Sequence, residues 1–249
     1  MVEAIIFDLD DTLIVEEDTA RAAIAEALTF VGAPPDVDRA LEAIRGVWRA
    51  SVHHPRCREL GIASWESLWA TFEHCHPSIS GLCDWIPEYR LLAWDAALHS
   101  LGADPHVAAT AAERYVETQR KGHPLIQSAV VAVRSMAHVV RCVLTNGPPD
   151  IQELKLRQTG LTDEFDVVAI SGALGTGKPD PAAFTHVLDR IGVSPERAVM
   201  VGDSWPRDIE GAVAIGMQGV WISRGRPRPS SLPHVRTIPQ LDPSALVDL

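Results

Sequence analysis

Three aspartates near the start of the chain, Asp8, Asp10 and Asp11, have the residue type and spacing that most directly indicate chemistry. They follow the apolar residues 4–7, which predict a short buried strand. Because residues two apart on a strand point to the same face, Asp8 and Asp10 can converge on one site beyond the strand end. Carboxylates this close repel one another unless a cation lies among them, and a divalent metal ion is the usual cation. The alternative is a solvated acidic turn in which Asp11 or Thr12 caps the next helix.

The elements that follow these aspartates are helical up to about residue 122, as the spacing of apolar residues indicates. Predicted helices cover residues 16–32, 36–54, 88–100 and 105–122, with a further helix opening at the capping box of residues 64–67 and a loop over 77–87. From about residue 125 the pattern alternates. Strands are predicted at 139–147, 166–170, 197–203 and 218–223. Helices are predicted at 126–138, 149–159 and 208–215, and a further helix follows the loop 172–181 and ends at residue 191. Weaker strand (235–238) and helix (243–247) signals lie in the tail.

Strands that alternate with helices predict an α/β fold with a doubly wound, mostly parallel sheet of the Rossmann type. We expect this α/β core to comprise residues 1–14 and 125–249. An all-α insert of residues 15–124 interrupts it directly after the acidic strand, and most of the insert's tryptophans are expected in a small core of its own.

Polar side chains stand at the ends of several predicted strands or in the loops that follow them. They are Asp8, Asp10, Thr145, Asn146, Lys178, Asp203 and Asp208. In a parallel sheet these ends lie along one edge, so residues far apart in sequence can meet there. The aspartates suit an oxygen-only Mg²⁺ site that leaves room for a substrate phosphate. The Thr145 hydroxyl and the amides after it can hold phosphate oxygens, and Lys178 supplies a positive charge.

This arrangement resembles the haloacid dehalogenase superfamily, whose four motifs occur here in order. They are DxDxT at residues 8–12, a threonine ending a strand at Thr145, KPDP at residues 178–181, and GDxxxxD at residues 202–208. The helical insert falls where the cap domain of that family falls. The resemblance covers nearly the whole chain.

The resemblance implies a Mg²⁺-dependent phosphatase that hydrolyses a small phosphorylated metabolite through an aspartyl-phosphate. Asp8 would attack phosphorus, while Asp10 would protonate the leaving oxygen and then activate water. Mg²⁺ would be held by Asp8, the Asp10 backbone carbonyl and Asp203, with Asp208 at or beside the ion. Thr145, Asn146, Gly147 and Lys178 would contact the phosphate. Asp11 would serve the turn and Thr12 would support the site.

Other readings of the same motifs are a phosphotransferase or mutase, a hydrolase of carbon–halogen bonds, and a non-catalytic binding protein. Family members that cleave carbon–halogen bonds typically lack the second aspartate, so Asp10 favours phosphoryl transfer. No motif carboxylate is lost, so nothing favours a non-catalytic protein. Residues 172–178 also match the start of a P-loop, but Pro179 stands where a P-loop needs a hydroxyl for Mg²⁺.

Two further features concern metal and substrate. The insert gathers soft-metal ligand types without a recognised zinc spacing, at His53, His54, Cys57, His74, Cys75, His76 and Cys83. In the fourth motif the bulky Trp205-Pro206 leaves the placement of Asp208 open, and Arg207 is expected to point to solvent.

Composition restricts the partners. The net charge is −11 and 46% of residues are hydrophobic. That balance argues against nucleic acid and against an anionic membrane surface as partners. The chain shows no secretion signal or membrane-spanning run, and its four cysteines form no CxxC pair. We expect a cytoplasmic monomer or homodimer that acts on a small-molecule phosphate ester.

Overall fold

The computed structural model describes residues 1–246, and its centre is a sheet of six parallel strands. The strands are β1 (Ala4–Phe7), β2 (Val140–Thr145), β3 (Val167–Ile170), β4 (Ala198–Gly202), β5 (Gln218–Ile222) and β6 (Val235–Ile238). Their order is β3-β2-β1-β4-β5-β6. Every residue of β1 is buried, as expected of a central strand covered on both faces. The predicted α/β fold with a doubly wound parallel sheet is confirmed.

Helices surround the sheet and fill the insert. Those of the insert are α1 (Glu17–Phe30), α2 (Val37–Ala50), α3 (His54–Glu59), α4 (Ser64–Ser67), α5 (Leu82–Ser100) and α6 (Ala108–Arg120). Those that alternate with strands are α7 (Gln127–Ser135), α8 (Pro149–Thr159), α9 (Ser171–Leu174), α10 (Pro181–Ile191) and α11 (Gly211–Ala214). Pro149 and Pro181 each occupy the first helical position, where a missing N–H costs nothing. Within the described residues, no helix is both long and apolar enough to span a bilayer.

The apolar side chains form separate clusters. One cluster joins α1, α2, α5 and α6 of the insert and includes the buried Trp48, Trp69 and Trp94. Two others cover the opposite faces of the sheet. At the expected boundaries of the insert, Ile14 pairs with Leu125 as an isolated antiparallel bridge, so the chain leaves and re-enters the α/β core at one point.

Several predicted elements differ in the structure. The loop predicted over 77–87 is wrong for its second half, because α5 begins at Leu82 and contains Pro87. Leu82 and Ile86 are fully or nearly fully buried, so burial of this face outweighs the hydrogen bond that Pro87 cannot donate. The helix predicted to open at residues 64–67 is only one turn long. Its N-cap is Ala63, whose amide donates to the Glu66 carboxylate at 3.0 Å.

The fourth motif also differs from a plain helix. Residues Trp205–Glu210 form a π-helix that leads into α11. The Trp205 ring packs edge-on against Trp221 at 5.2 Å, and its Nε1 donates to Glu210 at 2.9 Å. The bulky residue is therefore buried away from the motif's carboxylates. The helix predicted at 243–247 begins as a 3₁₀ turn at Pro243–Ala245, and residue 247 lies outside the described residues.

Candidate active site

Asp8 and Lys178 are a pair of predicted site residues that the structure brings into contact. Asp8 directly follows β1, and Lys178 Nζ lies 2.6 Å from its Oδ1 although 170 residues separate them. The Thr12 hydroxyl donates to the other oxygen, Oδ2, at 3.3 Å. Both Asp8 and Lys178 are buried, so this ion pair is shielded from solvent. Thr12 thus takes the supporting position that the motif predicted.

Asn146 fixes the loop that carries Lys178. Its Nδ2 donates to the Lys178 carbonyl at 2.8 Å, and its Oδ1 accepts from the Lys178 amide at 2.9 Å. Both polar atoms of the side chain are therefore engaged by the loop. Asn146 thus positions Lys178 and also lines the cavity, and its predicted phosphate contact stays a prediction.

Asp203 and Asp208 complete an acidic group with Asp8. One carboxylate oxygen from each lies within 4.8 Å of the others, and the described residues contain no second such group of three ligand side chains. Lys178 Nζ also approaches Asp208 Oδ1 to 2.7 Å. Gly202, the last residue of β4, has no room for a side chain, since a Cβ there would lie 2.2 Å from an Asp208 oxygen.

The electrostatics of this group favour an added cation. Burial raises the pKa of Asp8 well above its ordinary value, Lys178 lowers it, and Asp208 and Asp203 raise it again. Burial and then Asp208 raise the pKa of Asp203 to about 6. Three carboxylates face one buried lysine, which leaves an excess of negative charge. Oxygen donors with that charge fit a hard divalent ion such as Mg²⁺.

Asp10 lies in a different electrostatic setting. Its Oδ1 is 3.0 Å from Lys155 Nζ, and its Oδ2 accepts from Gln152 Nε2 at 2.8 Å. Lys155 is fully buried and also contacts Glu16 at 3.0 Å and Glu66 at 3.2 Å. Burial raises the pKa of Asp10, although Lys155 opposes that rise. A proton is therefore easier to keep on Asp10 than on a solvated aspartate.

The same buried lysine joins the insert to the α/β core. Glu16 and Glu66 belong to the insert, while Lys155 and Gln152 come from α8. Burial would raise the pKa of Glu16, but Lys155 and His123 outweigh it and hold that pKa at about 2. Burial raises the pKa of Glu66 to about 7 against the effect of Lys155. We call Lys155 with Asp10, Glu16 and Glu66 the Lys155 cluster.

Sequence reasoning missed the Lys155 cluster. The available signal was the spacing of Gln152 and Lys155, which places both on one face of α8 directly after the β2 turn. A lysine on an amphipathic helix is usually solvated, and no local pattern distinguishes Lys155 from that ordinary case.

A cavity of about 130 Å³ connects these groups. Of the predicted site residues, seven line it: Asp8, Asp10, Thr145, Asn146, Lys178, Asp203 and Asp208. Gly147 does not, and its amide donates to the Ser171 hydroxyl at 2.9 Å, so the structure does not bring it to the cavity. Glu66 and Trp65 of the insert cover the cavity from the other side.

Two residues around the motifs have structural partners. The Asp11 carboxylate accepts from the amides of Glu16 and Glu17, at the start of α1, at 3.1 and 3.2 Å. Asp11 therefore serves the turn, as the motif predicted. Arg207 is exposed, as expected, and lies at the mouth of the cavity without pairing with Asp208.

The histidines and cysteines of the insert have individual partners. The Cys83 thiol donates to the Phe72 carbonyl at 3.2 Å, and the His53 ring packs on Trp85. His76 Nδ1 lies 2.9 Å from the Ser78 hydroxyl. All four cysteines are unpaired thiols. In residues 1–246, none of these side chains belongs to a three-ligand group, so the zinc alternative gains no support.

A doubly wound parallel sheet with a carboxylate-rich cavity at its edge, covered by a helical insert, defines the class of protein. The sequence matches the haloacid dehalogenase-like hydrolase family over residues 2–216. Phosphoserine phosphatase of Thermus thermophilus is 33% identical, over 94% of this chain and 95% of its own. N-acylneuraminate-9-phosphatase of Rattus norvegicus is 26% identical, over 99% of this chain and 94% of its own.

A solved structure agrees with these sequence relatives. A 2-haloacid dehalogenase from Pseudomonas syringae is 27% identical, covers 100% of this chain and 99% of its own, and superposes with a TM-score of 0.63. This chain belongs to the haloacid dehalogenase-like hydrolase family. The membership and the hydrolase class predicted from the four motifs are confirmed.

Proposed function

We propose that the protein is a Mg²⁺-dependent phosphatase that hydrolyses a small phosphate monoester through an aspartyl-phosphate on Asp8. The observation that carries the proposal is the division between the first two motif aspartates. Asp8 faces Lys178 and the acidic group, while Asp10 faces the buried Lys155. This division supports the assignment of Asp8 to attack and of Asp10 to proton transfer.

In the first step an Asp8 oxygen attacks phosphorus, and the bond from phosphorus to the leaving oxygen breaks. Asp10 gives its proton to that leaving oxygen. In the second step Asp10 takes a proton from water, whose oxygen attacks phosphorus. Phosphate is released and the Asp8 carboxylate is restored. Lys178 holds Asp8 in place and offsets the negative charge of the phosphate, and Thr145 lines the same cavity.

Mg²⁺ would be held by Asp8, Asp203 and Asp208, with the Asp10 backbone carbonyl implied as a further ligand by the family motif. Bound there, it supplies positive charge that offsets the repulsion between an anionic nucleophile and an anionic phosphate. The oxygen-only donors and the excess negative charge of the group support this assignment.

The two related phosphatases suggest a phosphorylated small molecule as the substrate, because both are named as phosphatases of such compounds. The carbon–halogen alternative is less well supported. A halide leaves without being protonated, so the role of Asp10 as proton donor would be absent from that reaction. A mutase would require a second phosphate acceptor in place of water.

The test uses the purified full-length protein with Mg²⁺ and a panel that includes O-phosphoserine, N-acylneuraminate 9-phosphate and para-nitrophenyl phosphate. We expect phosphate release with water as the sole acceptor, and no halide release from 2-chloropropionate. Asp8→Asn should abolish turnover, and Asp10→Asn should reduce it at least about 100-fold. Asp18→Asn, an exposed aspartate of α1, is the matched control and should retain activity. Undiminished phosphatase activity in Asp8→Asn would refute the mechanism.

A further inference from the structure

A second cavity, of about 230 Å³, adjoins the catalytic cavity on the side of the insert. Gly61, Ala63, Trp65 and Arg207 line both cavities, so the two are contiguous. The catalytic cavity alone, at about 130 Å³, is smaller than the roughly 300–1,000 Å³ typical of ligand sites. Together the two cavities reach that range. A substrate whose phosphate lies at Asp8 therefore has room for its remaining part in the second cavity.

The second cavity has the opposite charge to the first. Four arginines line it, Arg45, Arg49, Arg58 and Arg207, together with His54. Among residues 1–246, no aspartate or glutamate is a lining residue of this cavity, whereas seven line the catalytic one. This concentration of cations occurs in a chain with a net charge of −11. We call this second cavity the arginine cavity.

The arginines differ in whether their positive charge already has a partner within the protein. Arg49 forms an ion pair with Glu42, and Arg45 lies over the Trp65 ring at 5.6 Å. Arg58 and Arg207 are exposed, and within the described part of the chain neither guanidinium group forms a hydrogen bond or an ion pair. Two guanidinium groups that line the arginine cavity are thus available to an external anion, and one of them, that of Arg207, also lines the catalytic cavity. A guanidinium is suited to carboxylate and phosphate groups, which it binds in a two-pronged manner.

We propose that the arginine cavity binds a second anionic group of the substrate, a carboxylate or a second phosphate, at the end distant from the phosphate that is cleaved. This inference rests on the proposed phosphatase function and names its substrate class. The concave shape and the small volume match part of a small molecule, whereas the net negative charge of the chain opposes binding of nucleic acid.

The experiment compares matched pairs of substrates that differ in the second anion. The carboxylate pairs are 3-phosphoglycerate with glycerol 3-phosphate and 6-phosphogluconate with sorbitol 6-phosphate, which also vary the distance between the groups. The bisphosphate pair is fructose 1,6-bisphosphate with fructose 6-phosphate. For the wild type we expect kcat/KM to be at least about tenfold higher for the doubly anionic member of one pair. If a carboxylate pair shows this difference, the arginine cavity binds a carboxylate; if the bisphosphate pair shows it, the cavity binds a second phosphate.

Arg58→Gln is the primary variant, because Arg58 is exposed on α3 of the insert and has no partner whose loss could unfold the protein. It should raise KM for the preferred doubly anionic substrate about tenfold more than for its singly anionic match. Arg45→Gln is a second variant of the same cavity. Arg39→Gln, an exposed arginine of α2 outside both cavities, removes the same charge and should leave the ratio unchanged.

Three outcomes would overturn the inference: equal kcat/KM within all pairs, an unchanged ratio in Arg58→Gln, or an equal change in Arg39→Gln. Failure of the underlying proposal is distinguishable, because it would appear as no hydrolysis of any phosphate ester, including para-nitrophenyl phosphate. The comparison of substrate pairs therefore tests the arginine cavity, and the hydrolysis of para-nitrophenyl phosphate tests the phosphatase function.

Discussion

Replacing Lys155 with methionine removes the single cation from a buried acidic cluster. The Lys155 ammonium lies 3.0 Å from Asp10, 3.0 Å from Glu16 and 3.2 Å from Glu66, and its side chain has no exposed surface. Methionine keeps most of the volume of the lysine stem but not the charge. The substitution therefore tests the electrostatic role of Lys155 with little change in packing.

The expected loss is about 3–5 kcal/mol in the free energy of unfolding near pH 7, as for other buried charges deprived of their partner. An independent figure comes from Glu16, whose pKa is held at about 2 against an ordinary value of 4.5. That difference corresponds to about 3 kcal/mol, to which His123 also contributes. For a chain of this length the loss lowers Tm by roughly 6–20 °C.

The loss must depend on pH. In the wild type, unfolded Glu16 titrates near 4.5 and folded Glu16 near 2, so its charge stabilises the protein above about pH 4.5. This contribution disappears as the pH falls towards 2. In Lys155→Met the buried carboxylates are disfavoured when charged, so the variant loses stability as the pH rises from about 5 to 8. The difference between the two proteins should therefore be larger at pH 8 than at pH 5.

Urea unfolding of both proteins at pH 5 and pH 8 measures these differences. Lys121→Met is the matched control: its side chain is 60% exposed, its ion pair with Glu26 is 3.5 Å long, and its loss should cost at most about 1 kcal/mol. Glu66→Gln in the Lys155→Met background should recover part of the stability, since it removes one unpaired carboxylate. A cost below about 1 kcal/mol for Lys155→Met, or a cost that does not vary with pH, would refute the reasoning.

Three further predictions concern other parts of the site. Gly61→Ala should destabilise the protein by at least about 2 kcal/mol and lower kcat, because φ at this position is +68° and a Cβ would lie 2.3 Å from Asn146 Nδ2; urea unfolding and steady-state kinetics measure both effects. Asp150→Ala should cost about 2–3 kcal/mol and speed hydrogen exchange at the Thr71 amide, which now donates to Asp150 at 2.6 Å; unchanged exchange would contradict it. EDTA should abolish activity and Mg²⁺ restore it, with a Mg²⁺-dependent rise in Tm that Asp203→Asn removes in thermal unfolding.

The residues that could be identified from sequence share a simple property. Asp8, Thr145 and Asp203 stand at the ends of buried parallel strands, and the topology of such a sheet brings those ends together whatever the details of packing. The same rule cannot assign partners to side chains in loops. Both polar atoms of Asn146 bind the backbone of Lys178, a contact across 32 residues that no sequence pattern indicated.

Helix ends were predictable where local chemistry decides them and not where tertiary packing does. Pro149 and the left-handed Gly160 fix the start and end of α8, as the sequence predicted. The start of α5 was misplaced, because a buried apolar face extends the helix through Pro87. Local signals thus predict a helix end where they act alone, and they fail where burial of an apolar face outweighs them.

The position of Lys155 explains how one short motif can supply two carboxylates with different tasks. Asp8 and Asp10 are two residues apart and line one cavity, but each has its own buried lysine, Lys178 from the loop before α10 and Lys155 from α8. Burial raises the pKa of both carboxylates, and each lysine lowers the pKa of its own partner. The two aspartates therefore do not compete for one cation.

Charges of the insert act on Asp10. Burial raises the pKa of Asp10, Lys155 lowers it and Glu16 raises it again. Because Glu16 and Glu66 belong to the insert and Lys155 to α8, the charge balance around Asp10 depends on both parts of the chain.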